Sequence, residues 1–150
     1  SCLKDFDTNY KVMPVLRSKE HIDALVDALN DDTIDVIVSS HMPQDIESKD
    51  VEFEHAEFGM IGLETAFAMA RSGTKNKLSV DTLIEKLTVN PRKILQLQNP
   101  LIKAGEKANL TVFDPDKKWT FTEKDIYSKS KNTPIIGKEL TGKVLRVVVE

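Results

Sequence analysis

The chain has 150 residues, 40% of them hydrophobic and 30% charged, with 21 basic and 24 acidic side chains and a formal net charge of −3. A chain this long buries roughly 68–70% of its unfolded surface without disulfide staples, and its single cysteine, Cys2, excludes an internal disulfide and favours a reducing compartment. The charge balance offers no basic field for nucleic acid, no apolar run approaches the ~20 residues of a membrane span, and the N-terminal residues lack a signal-peptide core, so a cytoplasmic protein with no nucleic-acid or membrane partner is expected.

Ser18 is placed to cap a helix in which Ile22, Leu25, Val26 and Leu29 fall at i, i+3, i+4 and i+7, one stripe for a core. The helix should stop near Asn30. The polar run Asn30-Asp31-Asp32-Thr33 reads as a turn, and Ile34-Asp35-Val36-Ile37-Val38 as a short buried strand rich in β-branched residues. That strand delivers Ser39, Ser40, His41, Met42, Pro43 and Gln44 into a loop. Helix, turn, apolar strand and polar loop form the repeating unit of an α/β protein with a parallel sheet, whose sites lie at the C-terminal ends of strands.

Next, Asp45, Glu47, Asp50, Glu52, Glu54 and Glu57 stand against a single Lys49, with His55 among them. Without the fixed spacing and turn glycine of a calcium loop, this stretch reads as a solvated acidic excursion. Gly59 and Gly62 bracket Met60-Ile61, and Leu63, Ala66, Phe67 and Ala70 form a helical stripe ending by Gly73. Ser79 caps a short helix with Val80, Leu83, Ile84 and Leu87 inward, and Asn90-Pro91 opens another, with Asn as cap and Pro at the first helical position. After Asn99-Pro100 the character changes. Ala108 to Phe113 reads as a strand, Asp114-Pro115-Asp116 as a turn, Trp119-Thr120-Phe121 as a short strand and Val144 to Val149 as a final β-rich run.

Ser40-His41 is the sharpest candidate for chemistry, as nucleophile and base. Neighbours in an extended segment point to opposite faces, however, so a loop serine beside a partly buried histidine is the simpler reading. His21 reads as a surface residue. With His41 and His55 it occupies three different elements without metal-ligand spacing, and there is no Cys-x-x-Cys, His-x-His or glycine-rich phosphate loop. The residues by themselves describe an α/β unit with a β appendage.

Several segments, in family order, resemble the C-terminal part of a dihydroorotase of the metal-dependent amidohydrolase superfamily. They are Asp7 to Arg17, Ile34 to Gln44, Phe58-Gly59-Met60-Ile61-Gly62-Leu63-Glu64-Thr65-Ala66, Thr88-Val89-Asn90-Pro91, Ile102 to Asp114, and Asn132-Thr133-Pro134. The resemblance implies an α/β fold. Residues 1–99 would be the C-terminal part of a (β/α)8 TIM barrel, and residues 100–150 the C-terminal share of a small β-sandwich domain. Within the barrel part, residues 34–40 would be the last strand and residues 59–98 the closing helices. It further implies a piece of a longer protein that cyclises N-carbamoyl-L-aspartate reversibly to dihydroorotate in pyrimidine biosynthesis, with a small cyclic amide or carbamoyl amino acid as ligand. The family's zinc is held mostly by earlier strands, through a His-x-His motif absent here, so this chain is expected to hold none.

The departures from the family pattern bear on activity. Where the family reads Asp-His-Ala-Pro-His, this chain has Ser40-His41-Met42-Pro43-Gln44. The resemblance gives the aspartate the tasks of binding metal and moving the proton between bridging hydroxide and leaving nitrogen. A serine hydroxyl is a poor base near neutral pH, and general acid–base catalysis typically contributes about 10²–10⁴-fold. Gln44 replaces a substrate-binding histidine; it can donate a hydrogen bond but cannot be cationic. Met13 replaces a substrate-binding asparagine, which leaves substrate atoms unpaired at roughly 1–3 kcal/mol each if buried. Phe58 and Gly59 remain, with backbone able to bond a ring carbonyl or amide, and Arg17, Pro43 and Gly62 also match.

The expectation is a catalytically impaired dihydroorotase-like chain. A non-catalytic scaffold partner of aspartate carbamoyltransferase is a companion reading, and an active cyclic-amide hydrolase of altered substrate, using Asp45 or Glu47 for proton transfer, is the rival. A partial barrel would expose strand edges and apolar stripes, so self-association or a tightly paired further segment is expected.

Overall fold

A computed structural model describes residues 5–74 and 77–149; Cys2 lies outside the described residues. The described elements are α1 (Lys19–Asn30), α2 (Ala66–Thr74), α3 (Val80–Ile84), a π-helical turn (Glu85–Val89), α4 (Asn90–Ile94), β1 (Asn109–Thr120) and β2 (Glu139–Val149), with 3-10 turns at Thr8–Tyr10 and Glu123–Asp125. The two strands pair as a two-stranded sheet. None of the described helices is long and apolar enough to cross a membrane. The chain divides into two compact units. One comprises the chain up to Ala24 with Ser39–Ala66 and Thr120–Glu139, and the other comprises Leu25–Val38, Phe67–Trp119 and the chain from Leu140.

In the second unit, Leu29, Leu78 and Leu83 form a buried cluster with Ile34, Ile37, Phe67, Ala70 and Leu87 packed against it. Val26 and Leu29 of the α1 stripe are buried as the periodicity requires, but Ile22 and Leu25 are 41% and 48% exposed, so the stripe is only half covered. Ile34 to Val38 does not form a strand. Among the described residues it has no neighbouring strand to complete a parallel ladder, and single bonds hold it instead, from Ile34 N–H to the Ala28 carbonyl (2.9 Å) and from Ile37 N–H to the Lys86 carbonyl (3.0 Å). The Lys86 side chain, fully buried, donates through Nζ to Asp32 Oδ1 (2.8 Å) and to the Ile34 carbonyl (2.6 Å), fixing the turn that precedes this segment.

Ser79 caps α3, its Oγ accepting the Thr82 N–H at 3.0 Å. Asn90 is not a cap. The chain passes from α3 to α4 through the π-helical turn, with Asn90 N–H bonded to the Glu85 carbonyl five residues back, while the Asn90 side chain donates to the Asp35 carbonyl at 3.0 Å. The widened turn explains how Pro91 sits in a continuing helix, since its ring would otherwise collide with the carbonyl four residues earlier. Helix α2 likewise runs through Gly73 to Thr74.

Asp114-Pro115-Asp116 does not turn the chain but lies inside β1, which merges the two expected strands. Asp114 Oδ1 accepts the N–H groups of Asp116 (3.0 Å) and Lys117 (3.1 Å), the local bonding that favours a turn. Arg71 of α2, itself buried, holds the same stretch by donating to the Pro115 carbonyl (3.2 Å) and to Asp116 Oδ1 (3.0 Å). A two-stranded sheet tolerates Pro115 because every strand in it is an edge. The last strand begins at Glu139 rather than Val144.

In the first unit, Ala56, Ile61, Phe121 and Ile135 are buried. Residues 45–57 keep their acidic side chains exposed, as expected of a solvated excursion, on a backbone that is folded into turns. Asp50 N–H bonds the Ile46 carbonyl (2.8 Å) and Ala56 N–H the Glu52 carbonyl (3.1 Å). Two lysines close these turns from below. Lys49 Nζ donates to the Glu57 carbonyl (2.8 Å), and Lys11 Nζ donates to those of Phe53 (2.9 Å) and Glu54 (2.8 Å). Burial, and then the neighbouring Lys11 charge, hold the Lys49 ammonium below the ordinary lysine value. The segment thus folds on apolar and cationic anchors while Glu47, Glu52, Glu54 and Glu57 stay exposed. At the start of α1, Ser18 accepts the Ile22 N–H through its carbonyl (3.1 Å), while its hydroxyl is turned to His21 Nδ1 (2.6 Å).

Candidate functional site

Two glycines let segment 59–62 lie directly against segment 39–42. A Cβ on Gly59, whose φ is +134°, would stand 2.8 Å from both the carbonyl oxygen and Cγ of Met42, and one on Gly62 would stand 2.8 Å from the Ser39 carbonyl oxygen. The two segments meet in an isolated parallel bridge between His41 and Met60, with Met42 N–H donating to the Met60 carbonyl at 2.9 Å.

His41 Nδ1 accepts the N–H groups of Gly62 (3.1 Å) and Leu63 (3.3 Å), which assigns the ring proton to Nε2. Ser40 is exposed and adopts a left-handed conformation, φ +47°. The Ser-His pair therefore lacks the geometry of nucleophile and base, because the Nδ1 lone pair is already committed to the backbone.

Gln44, Phe58 and Gly59 are brought together. Gln44 Nε2 donates to the Phe58 carbonyl at 2.8 Å, and Gly59 N–H donates to the Lys11 carbonyl at 2.9 Å. Both carbonyls of the Phe58-Gly59 pair have internal partners, that of Gly59 being bonded by Asn132 Nδ2 at 3.2 Å. A carbonyl oxygen has two lone pairs, so neither is saturated by that one bond. Met13, two positions beyond Lys11, is 57% exposed. A cavity of about 860 Å³ opens beside Gln44 and Asn132, lined also by Asn9, Lys49, Ser130 and Lys131; this is the size range of small-molecule sites.

Asp45 is committed locally. Its Oδ1 accepts the Ser48 hydroxyl and, at 2.7 Å, the Ser48 N–H, and these bonds hold its carboxyl below the ordinary aspartate value. Glu47 is exposed. Among the described residues no three of His, Cys, Asp and Glu gather to hold a metal ion, and the donors at the loop, a hydroxyl and a committed imidazole, do not make a zinc site.

Two polar residues matter more than their sequence context suggested. Asn132, 7% exposed, links the Gln44 and Gly59 segments. Glu64 Oε1 accepts from Tyr127 N–H (3.2 Å), Ser128 N–H (2.7 Å) and Ser128 Oγ (2.6 Å). Burial pushes the Glu64 carboxyl up, but these bonds outweigh it and leave it below the usual range. Both residues stand within segments that carry the resemblance, Glu64 in Gly-Leu-Glu-Thr and Asn132 in Asn-Thr-Pro. Neither has a period or spacing that would mark it; an asparagine ahead of Thr-Pro reads as a turn residue.

Comparison with known proteins matches residues 9–150 to the model of the amidohydrolase family. The chain is 45% identical over 139 residues to a dihydroorotase of Clostridium acetobutylicum, covering 91% of this chain and 33% of that protein. It is 43% identical over 145 residues to one of Caldicellulosiruptor saccharolyticus, covering 95% and 34%. The chain thus spans about a third of the length of these curated relatives. Among solved structures, an L-hydantoinase (dihydropyrimidinase) from Arthrobacter aurescens superposes with a TM-score of 0.83 at 26% identity, over 99% of this chain and 36% of that one. A D-hydantoinase superposes with a TM-score of 0.80 at 19% identity, over 95% and 33%, which bears on the fold alone.

Proposed function

Because the chain belongs to the amidohydrolase family, as an α/β part of that barrel fold, we propose that it supplies the C-terminal share of a cytoplasmic dihydroorotase-like protein of pyrimidine biosynthesis whose ring-opening chemistry is impaired. Residues 1–99 would be its barrel share and residues 100–150 its share of the small β-domain. The relatives that are dihydroorotases support the substrate class, a carbamoyl amino acid and its cyclic amide.

One contrast carries the reading. The backbone around Gly59, Gly62, Met42 and Asn132 is close-packed beside a cavity, as a binding site requires, while the position that the resemblance gives to the catalytic acid holds the exposed hydroxyl of Ser40. A hydroxyl neither takes up and releases a proton near neutral pH nor replaces a carboxylate as a metal ligand. Family members are metal-dependent, and zinc, where bound, would polarise the amide carbonyl and supply the hydroxide; this chain's described residues offer it no ligand set. Asp45, the nearer in sequence of the two carboxylates that alternative would use, is committed to Ser48, which weighs against the active-hydrolase alternative.

Assay of the longest native form of the protein, supplied with zinc, for reversible cyclisation of carbamoyl aspartate is expected to give turnover far below the ordinary ~1–10³ s⁻¹, unchanged in Ser40→Ala and raised in Ser40→Asp. Turnover at ordinary rates that Ser40→Ala abolishes overturns the proposal.

The same reading includes self-association. Val144, Leu145, Val147 and Val149 of β2 are 42%, 53%, 60% and 70% exposed, and a two-stranded sheet leaves edges open to pairing. Sedimentation of the 16.9 kDa chain is expected to give species larger than the monomer, and a strictly monomeric boundary at micromolar concentration overturns this part.

A further inference from the structure

We infer that Asn132 is the positioning residue of the ligand cradle, one amide side chain that sets the Gln44 loop against Gly59. The inference deepens the reading of Gln44, Phe58 and Gly59 as ligand-binding positions and rests on it. Asn132 Oδ1 accepts the Gln44 N–H at 3.2 Å, while Nδ2 donates to the carbonyls of Met42 and Gly59, both at 3.2 Å. Both Nδ2 protons are used. Its own carbonyl accepts the Ile61 N–H at 3.1 Å, which fixes the amide's origin on the segment it serves. Ser130, two residues earlier, donates its hydroxyl to the Gln44 carbonyl, so both backbone groups of Gln44 are held from residues 130–132.

No other side chain meets this demand from the same place. Aspartate offers no donors for the two carbonyls and would place a negative charge beside them; serine has one donor and shorter reach; glutamine carries the same groups one methylene too far. Binding sites require their groups to be held within about 0.5 Å of the productive position by such supporting bonds. Loss of the amide would free the Gln44 N–H and the Met42 and Gly59 carbonyls while deleting no apolar group from the core of the unit.

Two measurements decide the matter. Hydrogen exchange of the Gln44 amide tests the positioning itself without any ligand. Asn132→Leu, which at similar volume removes the acceptor of the Gln44 N–H together with both donors, is expected to speed exchange at Gln44 at least tenfold while the amides of α1 and Phe121 keep their protection, and unchanged exchange at Gln44 overturns the inference. Titration with dihydroorotate tests its consequence. Asn132→Asp is expected to bind at least tenfold more weakly than the parent, and Asn132→Gln to fall between them. Leu83→Ala, which removes a fully buried core side chain from the other unit, is expected to bind within twofold of the parent at a temperature where it is folded. Equal weakening by Leu83→Ala and Asn132→Asp reduces Asn132 to a stability residue and overturns the inference. If Asn132→Leu does not fold, Asn132→Ala carries the exchange measurement, and if Asn132→Asp does not fold, Asn132→Gln carries the titration. A parent protein that binds no dihydroorotate, with Gln44 exchange still governed by Asn132, overturns the ligand reading and leaves the positioning role standing.

Discussion

Gly59→Ala is expected to lower the stability of the protein by about 2–4 kcal/mol, a drop in melting temperature on the order of 10 °C, and to abolish ligand binding at the cradle. Two independent penalties meet at this position. With φ at +134° an L side chain strains the backbone, at about 1–3 kcal/mol. The added methyl would also stand 2.8 Å from the Met42 carbonyl oxygen and 2.9 Å from Met42 Cβ. Relief has to come from the backbone of segment 42–44, because the carbonyl cannot rotate away like a side-chain tip. Gly73→Ala is the internal comparison. That glycine lies inside α2 with nothing within 4 Å of the place a Cβ would take, so the same change should be stabilising by about 0.5–1 kcal/mol. A thermal melt of both variants reads the difference, and a Gly59→Ala melt within 2–3 °C of the parent defeats the close-packing account.

The glycines of the cradle were legible in sequence as family matches, but their reason was not. That reason is the approach of segment 59–62 to segment 39–42, a tertiary contact that no local period encodes. The helices read well where an apolar stripe and a cap coincide, as at Ser79 with Leu83. They read less well where a polar residue had two choices. Asn90 looked like a cap because asparagine before proline usually is one, yet its amide went to the Asp35 carbonyl and the helix widened to admit Pro91. Asp114-Pro115-Asp116 carried turn chemistry that Arg71, distant in sequence, overrides. Ile34 to Val38 shows the opposite failure: the β-branched composition is right for a strand, but a strand needs partners, and the described residues supply none. Asn132 could not have been found from spacing, because its three partners come from Met42, Gln44 and Gly59, brought to it only by the fold.

Breaking the Lys86–Asp32 pair from its two ends is expected to give unequal losses. The Lys86 side chain is 1% exposed and that of Asp32 is 81% exposed, with 2.8 Å between Nζ and Oδ1. Removing Asp32's charge by Asp32→Asn leaves an ammonium inside the second unit with the Ile34 carbonyl as its remaining strong partner. Breaking a buried pair from one side costs about 3–5 kcal/mol, and the open side of Asp32 admits water and reduces this to about 2–3 kcal/mol. Asparagine is chosen because it tolerates the φ of +63° at this position. Lys86→Met keeps the buried stem and removes the charge itself. Asp32 then hydrates freely, and the loss should stay within about 1 kcal/mol, the range for an apolar replacement of a buried ion. In the double variant no buried charge is left unpaired, so its stability should lie nearer to Lys86→Met than to the sum of the two single losses. Denaturant titration of the four proteins measures the coupling. Losses that add without coupling mean that the ion pair seen at Asp32 contributes nothing, and that Lys86 holds the turn through its stem and its bond to the Ile34 carbonyl.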